Sequence, residues 1–394
     1  MNFDNVVCKL PFGYLEIDYN GDVRTCCMPY IKGLSIGNIY KQDFLDILNS
    51  DNAIFIRSNC LKGDYSMCNL ELCNPNKMEN VYMLNSKYVT KLDYNTNLKK
   101  VNIIKLSYDN DCNVKCKSCR ENIYRNSKEY IEELDEKAKK YILPIIKYTD
   151  KVCLIGSGDP FSSRHTKNLI KMIVKEYPNI KFDLHTNGLL LNETMLNNLG
   201  IIDKLSYVQI SMHAAKKDTY DKIVLGGNFN VLIDNLKFVK RLKEENRIEN
   251  IFLFFVVSKV NLNDAKEFVK LEKEYSAECF FWNLRDWNTH YTKTEMPDEY
   301  DIYNTFKDHI FDSENCHLNP YITKIRNNNQ FYNSYFYSKI KILNEENNQL
   351  KNQIKEITDK EVIIDNKINK LINSISWWIP IKKWRDNFRN KFYV

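Results

Sequence analysis

The stretch VNIIKLSYDNDCNVKCKSC, residues 101–119, joins an apolar run to three cysteines. Its first eight residues contain one charged side chain, as expected of a strand that is covered on both faces of a sheet. Cys112, Cys116 and Cys119 then follow in a C-x3-C-x2-C spacing. Three thiolates on one short loop can bind three irons of a four-iron cluster and leave the fourth iron open. A zinc ion that recruits a fourth ligand from elsewhere is the alternative at this spacing.

Strand-like and helix-like segments alternate downstream of this loop. Further strands rich in Val, Ile, Phe and Leu are predicted at residues 151–155, 181–185, 205–212, 251–257 and 278–283. Amphipathic helices are predicted at residues 127–147, 167–177, 231–245 and 263–275. Six such βα units predict a parallel sheet with right-handed crossovers, either an open doubly wound sheet or a partial barrel.

Polar residues gather where four of these strands end, at residues 109–119, 156–159, 186–188 and 211–213. The carboxyl ends of parallel strands meet at one edge of the sheet, and α/β folds bind their ligands there. The sequence therefore predicts one shared site built from these four loops.

A second group of cysteines lies near the N-terminus, within residues 8–73. This region is rich in turns, and its one clear predicted helix spans residues 42–49. Such a segment has little core of its own and would gain stability from a bound metal. From spacing alone, zinc and an iron–sulfur cluster both remain open.

Composition limits the class of protein. The chain has 394 residues, 43% of them hydrophobic, a net charge of +6 and 12 cysteines. It contains no apolar run of the ~20 residues that a membrane-spanning helix needs, and no signal-peptide pattern at its start. We therefore expect a folded cytoplasmic protein that does not bind nucleic acid, with thiols used for metal binding or chemistry.

The strand-end motifs resemble those of the radical SAM (S-adenosylmethionine) superfamily, in the same order along the chain. The cysteine loop follows the first strand, Gly-Ser-Gly-Asp-Pro the second and Thr-Asn-Gly the third, and a serine ends the fourth. The resemblance implies a partial (β/α)6 TIM-type barrel in which Cys112, Cys116 and Cys119 hold a 4Fe-4S cluster. It also implies that SAM binds at Gly156, Ser157, Gly158, Asp159, Pro160, Thr186, Asn187 and Ser211.

The resemblance implies a chemistry as well. The family reductively cleaves SAM to a 5′-deoxyadenosyl radical, which abstracts hydrogen from a substrate C–H bond. It draws electrons from a donor such as flavodoxin or ferredoxin. Asp159 stands where the family's motif has Glu, whose role is to bind the methionine amino group. Ser118 stands where an aromatic residue is common.

The N-terminal cysteines resemble the SPASM domain, which binds an auxiliary 4Fe-4S cluster in many radical SAM enzymes. That domain usually follows the barrel, whereas here it precedes it. The resemblance implies the ligand set Cys8, Cys27, Cys68 and Cys73. Cys26 can replace Cys27, and Cys60 is left over as a buried thiol.

Other residues are candidates for roles in the reaction. His213, beside the proposed cofactor serine, is predicted as a catalytic base, with packing or hydrogen bonding as the alternative. Trp282, Arg285 and Trp287 follow the last strand and could line a substrate pocket or form a core pair. A hydrogen donor could be a cysteine, although a cysteine on a strand is most often a small buried hydrophobe. The candidate donors are Cys153, Cys279 and Cys316.

The C-terminal part has a different pattern. Residues 340–378 show apolar side chains in alternating steps of three and four, with Asn347 at a core position. This heptad predicts a coiled coil between chains, and a single long helix packed on its own barrel is the alternative. The aromatic and basic residues 377–394 fit an amphipathic helix on the inner face of an anionic membrane, or one that docks on a partner.

These observations predict five segments. A SPASM-like domain (1–95) precedes a radical SAM core (96–295), a linker or barrel-closing region (296–339), a coiled coil (340–376) and a basic aromatic tail (377–394). By analogy, the substrate hypothesis is oxidation or epimerisation of a carbohydrate-type molecule in surface-glycan synthesis. The alternatives are a peptide-modifying maturase and a non-catalytic scaffold held together by metal.

Overall fold

The computed structural model describes residues 7–26, 31, 33–70, 73, 84, 86–154, 158–285, 290–327, 329–376 and 382–392. Its strands form one ten-stranded sheet in the order β12-β11-β10-β8-β7-β6-β4-β1-β2-β3, and a separate pair β5-β9. The strand bounds are β1 (Tyr14–Asp18), β2 (Asp22–Arg24), β3 (Gly37–Asn38), β4 (Ile103–Ser107), β5 (Lys115–Cys116), β6 (Lys151–Leu154), β7 (Lys181–Thr186), β8 (Leu205–Ser211), β9 (Val224–Leu225), β10 (Asn250–Val257), β11 (Glu278–Asn283) and β12 (Cys316–Leu318).

Helices connect the parallel strands and cover one face of the sheet. In chain order the α-helices are α1 (Leu10–Gly13), α2 (Phe44–Leu48), α3 (Asp51–Leu61), α4 (Lys128–Lys137), α5 (Arg164–Glu176), α6 (Glu193–Leu199), α7 (Lys217–Ile223), α8 (Phe229–Glu244), α9 (Ala265–Tyr275), α10 (His290–Thr294), α11 (Glu299–Phe306), α12 (Pro320–Arg326), α13 (Asn329–Ser376) and α14 (Lys382–Phe392). A π-turn (Ala138–Ile142) and a 3-10 segment (Leu143–Tyr148) extend α4, and 3-10 turns span Leu262–Asp264 and His309–Asp312.

The predicted α/β class and partial barrel are confirmed. All six predicted strands are present, and β4, β6, β7, β8, β10 and β11 pair in parallel. A seventh parallel strand, β12, pairs with β11 and was not predicted, because three residues are too few to show a period. This strand lies within residues 296–339, the predicted linker or barrel-closing region. The seven-residue helices α6 and α7 were missed for the same reason.

The N-terminal region was misjudged. Within its described residues it contains α1 and the 11-residue α3 in addition to the predicted helix. Its strand β1 pairs in parallel with β4 over five residues, so the barrel sheet continues into this region. Its apolar side chains therefore belong to the same core as those of the barrel, although the sequence suggested a region with little core.

A buried ion pair lies near the amino ends of the barrel strands. Lys151 Nζ lies 3.0 Å from the Asp183 carboxylate, and neither side chain is exposed. Lys151 Nζ also donates to the Ser206 hydroxyl at 3.2 Å, and that hydroxyl donates to Glu249 at 3.1 Å. Two buried charges are tolerated only when they are paired and hydrogen-bonded, as they are here.

The C-terminal unit, residues 328–394, consists of α13 and α14. Helix α13 is continuous over 48 residues. Its heptad side chains face solvent along the described part, including Leu350, Ile354, Ile357, Ile364 and Leu371. Among the described residues, no helix has the length and apolarity needed to cross a membrane.

Candidate active site

The sheet has an outer face under the helices and an inner face opposite it. Phe255 on β10 and Phe281 on β11 contact Phe268 of α9, so these residues lie on the outer face. Because side chains alternate along a strand, their neighbours Phe254 and Phe280 lie on the inner face. Ser211, the last residue of β8, is the register partner of Phe254 and shares that face.

The cysteine loop leaves β4 and is held from two sides. Strand β5, which contains Cys116, pairs with β9, and the Lys117 amide donates to the Ile223 carbonyl at 2.9 Å. The amides of Cys119 and Arg120 both donate to the Cys116 carbonyl. These bonds fold Cys116 and Cys119 into one tight turn, and the Cys112 amide donates to the Tyr124 carbonyl at 3.2 Å.

The three thiols differ in their surroundings. Cys112 is buried, Cys116 is half-buried and Cys119 is exposed. Burial raises the pKa of the Cys112 and Cys116 thiols, and repulsion from the Cys119 thiolate adds to this effect at both. Metal binding requires thiolates, so iron would have to displace these protons.

Arg120 is a site residue that sequence reasoning missed. Its guanidinium lies 3.7 Å from Cys119 Sγ, donates to the Asn110 carbonyl at 3.0 Å, and is only 9% exposed. Burial alone would lower its pKa, but the thiols of Cys119 and Cys112 outweigh that effect and raise it. A cation directly after the third cysteine was the available signal.

Asn187 connects the Thr-Asn-Gly turn to the cysteine loop. Its side-chain amide donates to Asn113 at 2.8 Å and lies 3.9 Å from Cys112 Sγ. The predicted loops after β4 and β7 therefore meet. Thr186 is buried beside Asn187.

Gly158 is packed against the backbone that precedes the cysteines. Its amide donates to the Asp109 carbonyl, and the next amide donates to the Asp111 carbonyl. A Cβ at position 158 would lie 2.0 Å from the Asp111 carbonyl oxygen, so only glycine fits. Gly156 and Ser157, the other residues of this motif, lie outside the described residues.

Asp159 holds the site together through its own hydrogen bonds. One carboxylate oxygen accepts from the Thr186 hydroxyl at 2.6 Å and the Asn187 amide at 2.8 Å. The other accepts from the amides of Phe161 and Ser162 at 3.0 and 3.3 Å. A carboxylate offers about four acceptor positions, so all are occupied. Burial raises the pKa of this carboxyl group, and the effect of burial is larger than that of the four hydrogen bonds, which lower the pKa. The arrangement favours a positioning role over the predicted contact with a methionine amino group.

Asp109 and Asp111 provide a second acidic network that was not singled out. The Asp109 carboxylate accepts from the Asn126 side chain at 2.8 Å and from Thr166 at 3.1 Å. The Asp111 carboxylate accepts from Ser162 at 2.7 Å and pairs with Arg125 at 2.8 Å. These bonds tie the cysteine loop to the loop that contains Pro160.

His213 does not have the geometry of a base. Its Nδ1 accepts a hydrogen bond from the Val256 amide at 3.2 Å, so the neutral ring has its proton on Nε2. Burial lowers its pKa to about 4. The only lone pair is thus occupied, and Nε2 can act only as a donor. Its φ of 59° lies in the left-handed region, which is unusual outside glycine and occurs at functional sites.

The inner face beside Ser211 is lined by stacked rings. Phe254 and Phe280 stack at 4.8 Å between centroids, and Phe280 stacks on His317 at 4.4 Å. Trp282 stacks on Phe254, and the Arg285 guanidinium lies 6.0 Å from the Trp282 ring. Trp287 lies outside the described residues.

The three cysteines that are candidate hydrogen donors lie on different faces of the sheet. The Cys279 thiol donates to the Phe268 carbonyl on the outer face, and Cys316 is its register partner on that face. Cys153 is the register partner of Asp183, next to Tyr207 on the inner face, but it is fully buried. None of these three thiols is therefore open to the inner surface beside Ser211.

The N-terminal cysteines converge on one cavity. It is lined by five thiols together with Leu10, Pro11, Ile31, Ile56 and Tyr65. The five thiols belong to Cys8, Cys26, Cys60, Cys68 and Cys73. Cys26 is thus in place, whereas Cys27 lies outside the described residues. Burial raises the pKa of Cys8 to about 12.

Both thiol groups have the donor chemistry that an iron–sulfur cluster requires. Among the described residues, no three Cys, His, Asp or Glu side chains come close enough to hold a single metal ion. A cubane cluster binds each thiolate at a different corner, so its ligands stand farther apart than those of one ion.

Two family models match the chain. The radical SAM superfamily model matches residues 107–271, and SPASM, an iron–sulfur cluster-binding domain, matches residues 8–74. The chain therefore contains a radical SAM domain. A SPASM-type domain precedes it, and the two domains imply SAM, a 4Fe-4S cluster and auxiliary iron–sulfur binding as cofactors.

The curated relatives include the FeMo cofactor biosynthesis protein NifB of two archaea. The Methanocaldococcus infernus protein is 23% identical over 188 residues, which are 42% of this chain and 61% of that protein. The Methanocaldococcus jannaschii protein is 25% identical over 199 residues, covering 45% and 65%. The chain thus spans less than two thirds of the length of either relative.

Solved structures with a similar fold include anSMEcpe with bound AdoMet. It is 20% identical, with a TM-score of 0.38 over 54% of this chain and 59% of that one. Streptococcus suis SuiB bound to the precursor peptide SuiA is 16% identical, with a TM-score of 0.38 over 74% and 66%.

Proposed function

We propose that this enzyme uses its radical to abstract hydrogen from a carbohydrate-type substrate, which it oxidises or epimerises. The bound cofactors supply a 5′-deoxyadenosyl radical, which can attack unactivated C–H bonds. The protein's part is to bind, orient and exclude water. The observation that carries the proposal is the row Ser211, Phe254, Phe280 and His317, which runs from the proposed cofactor serine across the inner face.

The proposed cofactor site uses residues from four strand ends. Cys112, Cys116 and Cys119 would hold the cluster, with Arg120 stabilising its negative charge. Gly158, Pro160, Asn187 and Ser211, with Gly156 and Ser157 from the same motif, would bind SAM. Asp159 and Thr186 would position this loop pair. Because Cys119 is exposed, a reduced flavodoxin or ferredoxin could approach the cluster on that side.

The partly exposed inner face of the sheet is suited to binding a ring-shaped, polar molecule. Phe254, Trp282 and His317 remain partly exposed on the inner face. The His317 ring is held by Glu278 at 2.8 Å, and Gln209 lies in the neighbouring row. Aromatic rings beside hydrogen-bonding groups complement a sugar, whose ring has apolar C–H faces and a hydroxyl rim. Surface-glycan synthesis remains the proposed context.

The C-terminal segments complete the proposal. The exposed heptad of α13 is proposed to form a homo-oligomeric coiled coil. The tail from residue 377 is proposed to contact the inner face of the membrane. The proposed domain boundaries follow residues 95, 295, 339 and 376.

Anaerobic reconstitution and measurement of 5′-deoxyadenosine test the function. We expect formation of 5′-deoxyadenosine, stimulated by sugar nucleotides or oligosaccharides, with deuterium transferred from a labelled sugar C–H position. Trp282→Ala should lower the substrate-stimulated rate about tenfold and leave the unstimulated rate unchanged. The control Tyr130→Ala, on the exposed face of α4, should change neither rate.

The outcomes separate the candidates. Transfer of deuterium from a labelled peptide and from no sugar would replace the carbohydrate proposal with the maturase. Absence of 5′-deoxyadenosine in a fully iron-loaded protein would favour the non-catalytic scaffold.

A further inference from the structure

The N-terminal cavity contains more thiols than one auxiliary cluster needs. A 4Fe-4S cluster binds one protein ligand at each of its four irons. The cavity is lined by five cysteines from the described residues, Cys60 among them. One thiol is therefore in excess before Cys27 is considered.

Cys60 is directed into this cavity by its helix. It lies in the last turn of α3, four residues after Ile56, which also lines the cavity. Residues four apart lie on the same face of a helix. Cys60 is 2% exposed. It therefore lies inside the cluster pocket and is not the separate buried thiol that the sequence suggested.

Two of the other thiols, those of Cys8 and Cys68, belong to residues that are hydrogen-bonded to Tyr65, and Cys73 is hydrogen-bonded to the residue after Cys68. The Cys8 amide donates to the Tyr65 hydroxyl at 3.0 Å, and the Cys68 amide donates to the Tyr65 carbonyl at 2.9 Å. The Cys73 amide donates to the Asn69 carbonyl at 2.9 Å within the same turn. These hydrogen bonds position three ligands together.

The fourth ligand has two sources. Cys26 enters the cavity just after β2, and Cys60 enters from α3, on separate segments of the chain. Neither belongs to the turn that holds Cys68 and Cys73. Either thiol could therefore bind the fourth iron if Cys8, Cys68 and Cys73 bind the other three.

We propose that Cys60 is an alternative ligand of the auxiliary cluster, which exchanges with the Cys26-Cys27 pair at one iron. In the exchange, the incoming thiol loses a proton and the departing thiolate takes one up, so the charge of the site is unchanged. No electron is transferred.

Iron stoichiometry of the full-length, anaerobically reconstituted protein tests the proposal. We expect Cys26→Ala/Cys27→Ala and Cys60→Ala each to retain the wild-type iron and sulfide per chain. Combining all three substitutions leaves one iron of the cluster without a protein ligand, so it should lower the iron content by about one ion per chain. Cys279→Ala, a buried thiol of the outer face, serves as the control and should lose no iron.

A spectroscopic variant covers the case in which the triple alanine variant does not fold. Cys60→Ser in the Cys26→Ala/Cys27→Ala background should keep the cluster on a serine oxygen. It should also shift the electron paramagnetic resonance of the reduced auxiliary cluster, while the signal of the barrel cluster stays unchanged.

Two results would overturn the proposal. One is loss of a whole cluster in Cys26→Ala/Cys27→Ala, and the other is an unchanged spectrum in the serine variant. The inference rests on the SPASM-type cluster and not on the proposed substrate. Because iron content does not depend on turnover, failure here and failure of the carbohydrate proposal are distinguishable.

Discussion

Replacing Gly158 with alanine should impair SAM cleavage without removing the cluster. The added Cβ would lie 2.0 Å from the Asp111 carbonyl oxygen, whereas real Cβ atoms essentially never approach below 3.0 Å. The two backbone segments must therefore separate by at least 1.0 Å. They cannot do so freely, because the amides of Gly158 and Asp159 donate to the carbonyls of Asp109 and Asp111.

The size of the effect follows from that displacement. A misplacement of about 1 Å in a reacting complex costs on the order of 100-fold in rate, or about 2.7 kcal/mol. Cys112 directly follows the displaced carbonyl, whereas Cys116 and Cys119 lie beyond it, and all three thiols are retained. We therefore expect Gly158→Ala to lower the rate of 5′-deoxyadenosine formation about 100-fold at wild-type iron content.

The assay is the initial rate of 5′-deoxyadenosine release under reducing, anaerobic conditions, with iron measured on the same samples. Gly33→Ala is the control for backbone strain alone, because its φ of 73° disfavours alanine whereas a Cβ there meets no atom of the described residues within 4 Å. It should retain the wild-type rate. A Gly158→Ala rate within twofold of wild type would refute the close approach between the two loops.

Three further predictions concern charge and assembly. In a redox titration, Arg120→Gln should lower the midpoint potential of the barrel cluster, because the guanidinium near Cys119 favours the reduced, more negative state. Lys117→Gln removes the same charge from the loop and is the control. Lys151→Met leaves the buried Asp183 carboxylate unpaired, so it should lower the free energy of unfolding by about 3–5 kcal/mol in urea titrations. Lys128→Met on the surface is the control and should change this free energy by less than about 0.5 kcal/mol. Ile354→Asp should shift the full chain to a monomer in sedimentation velocity.

Each of these has a result that would contradict it. Equal potentials for the arginine and lysine variants would remove any specific effect of the guanidinium. Wild-type stability after the Lys151 substitution would mean that the buried pair contributes little. A wild-type chain that is already monomeric would rule out the coiled coil between copies.

The radical SAM core was predictable because its signals are local. The apolar strands and the amphipathic helices between them follow from period alone, and the three cysteines of the loop lie within eight residues. Short strands and helices could not be predicted from the period of their apolar residues. Strand β12 has three residues, and its position is decided by pairing with β11, which lies more than 30 residues away.

The roles of individual side chains depended on contacts between distant segments. Asp159 looked like a cofactor ligand, but Thr186 and Asn187 occupy its carboxylate from a different strand end. His213 looked like a base until the Val256 amide was found on its Nδ1. A sequence states which groups are present, but not which hydrogen bonds they have already formed.

The sequence by itself determined the cofactor chemistry, because cysteine spacing and strand-end motifs lie within short segments whose geometry is local. Only the tertiary structure decided how the N-terminal region attaches, since the parallel pairing of β1 with β4 joins residues about 90 apart. It also decided that Cys60 shares one cavity with Cys8 and Cys73. Long-range pairing and burial depend on the whole chain, and no local pattern encodes them.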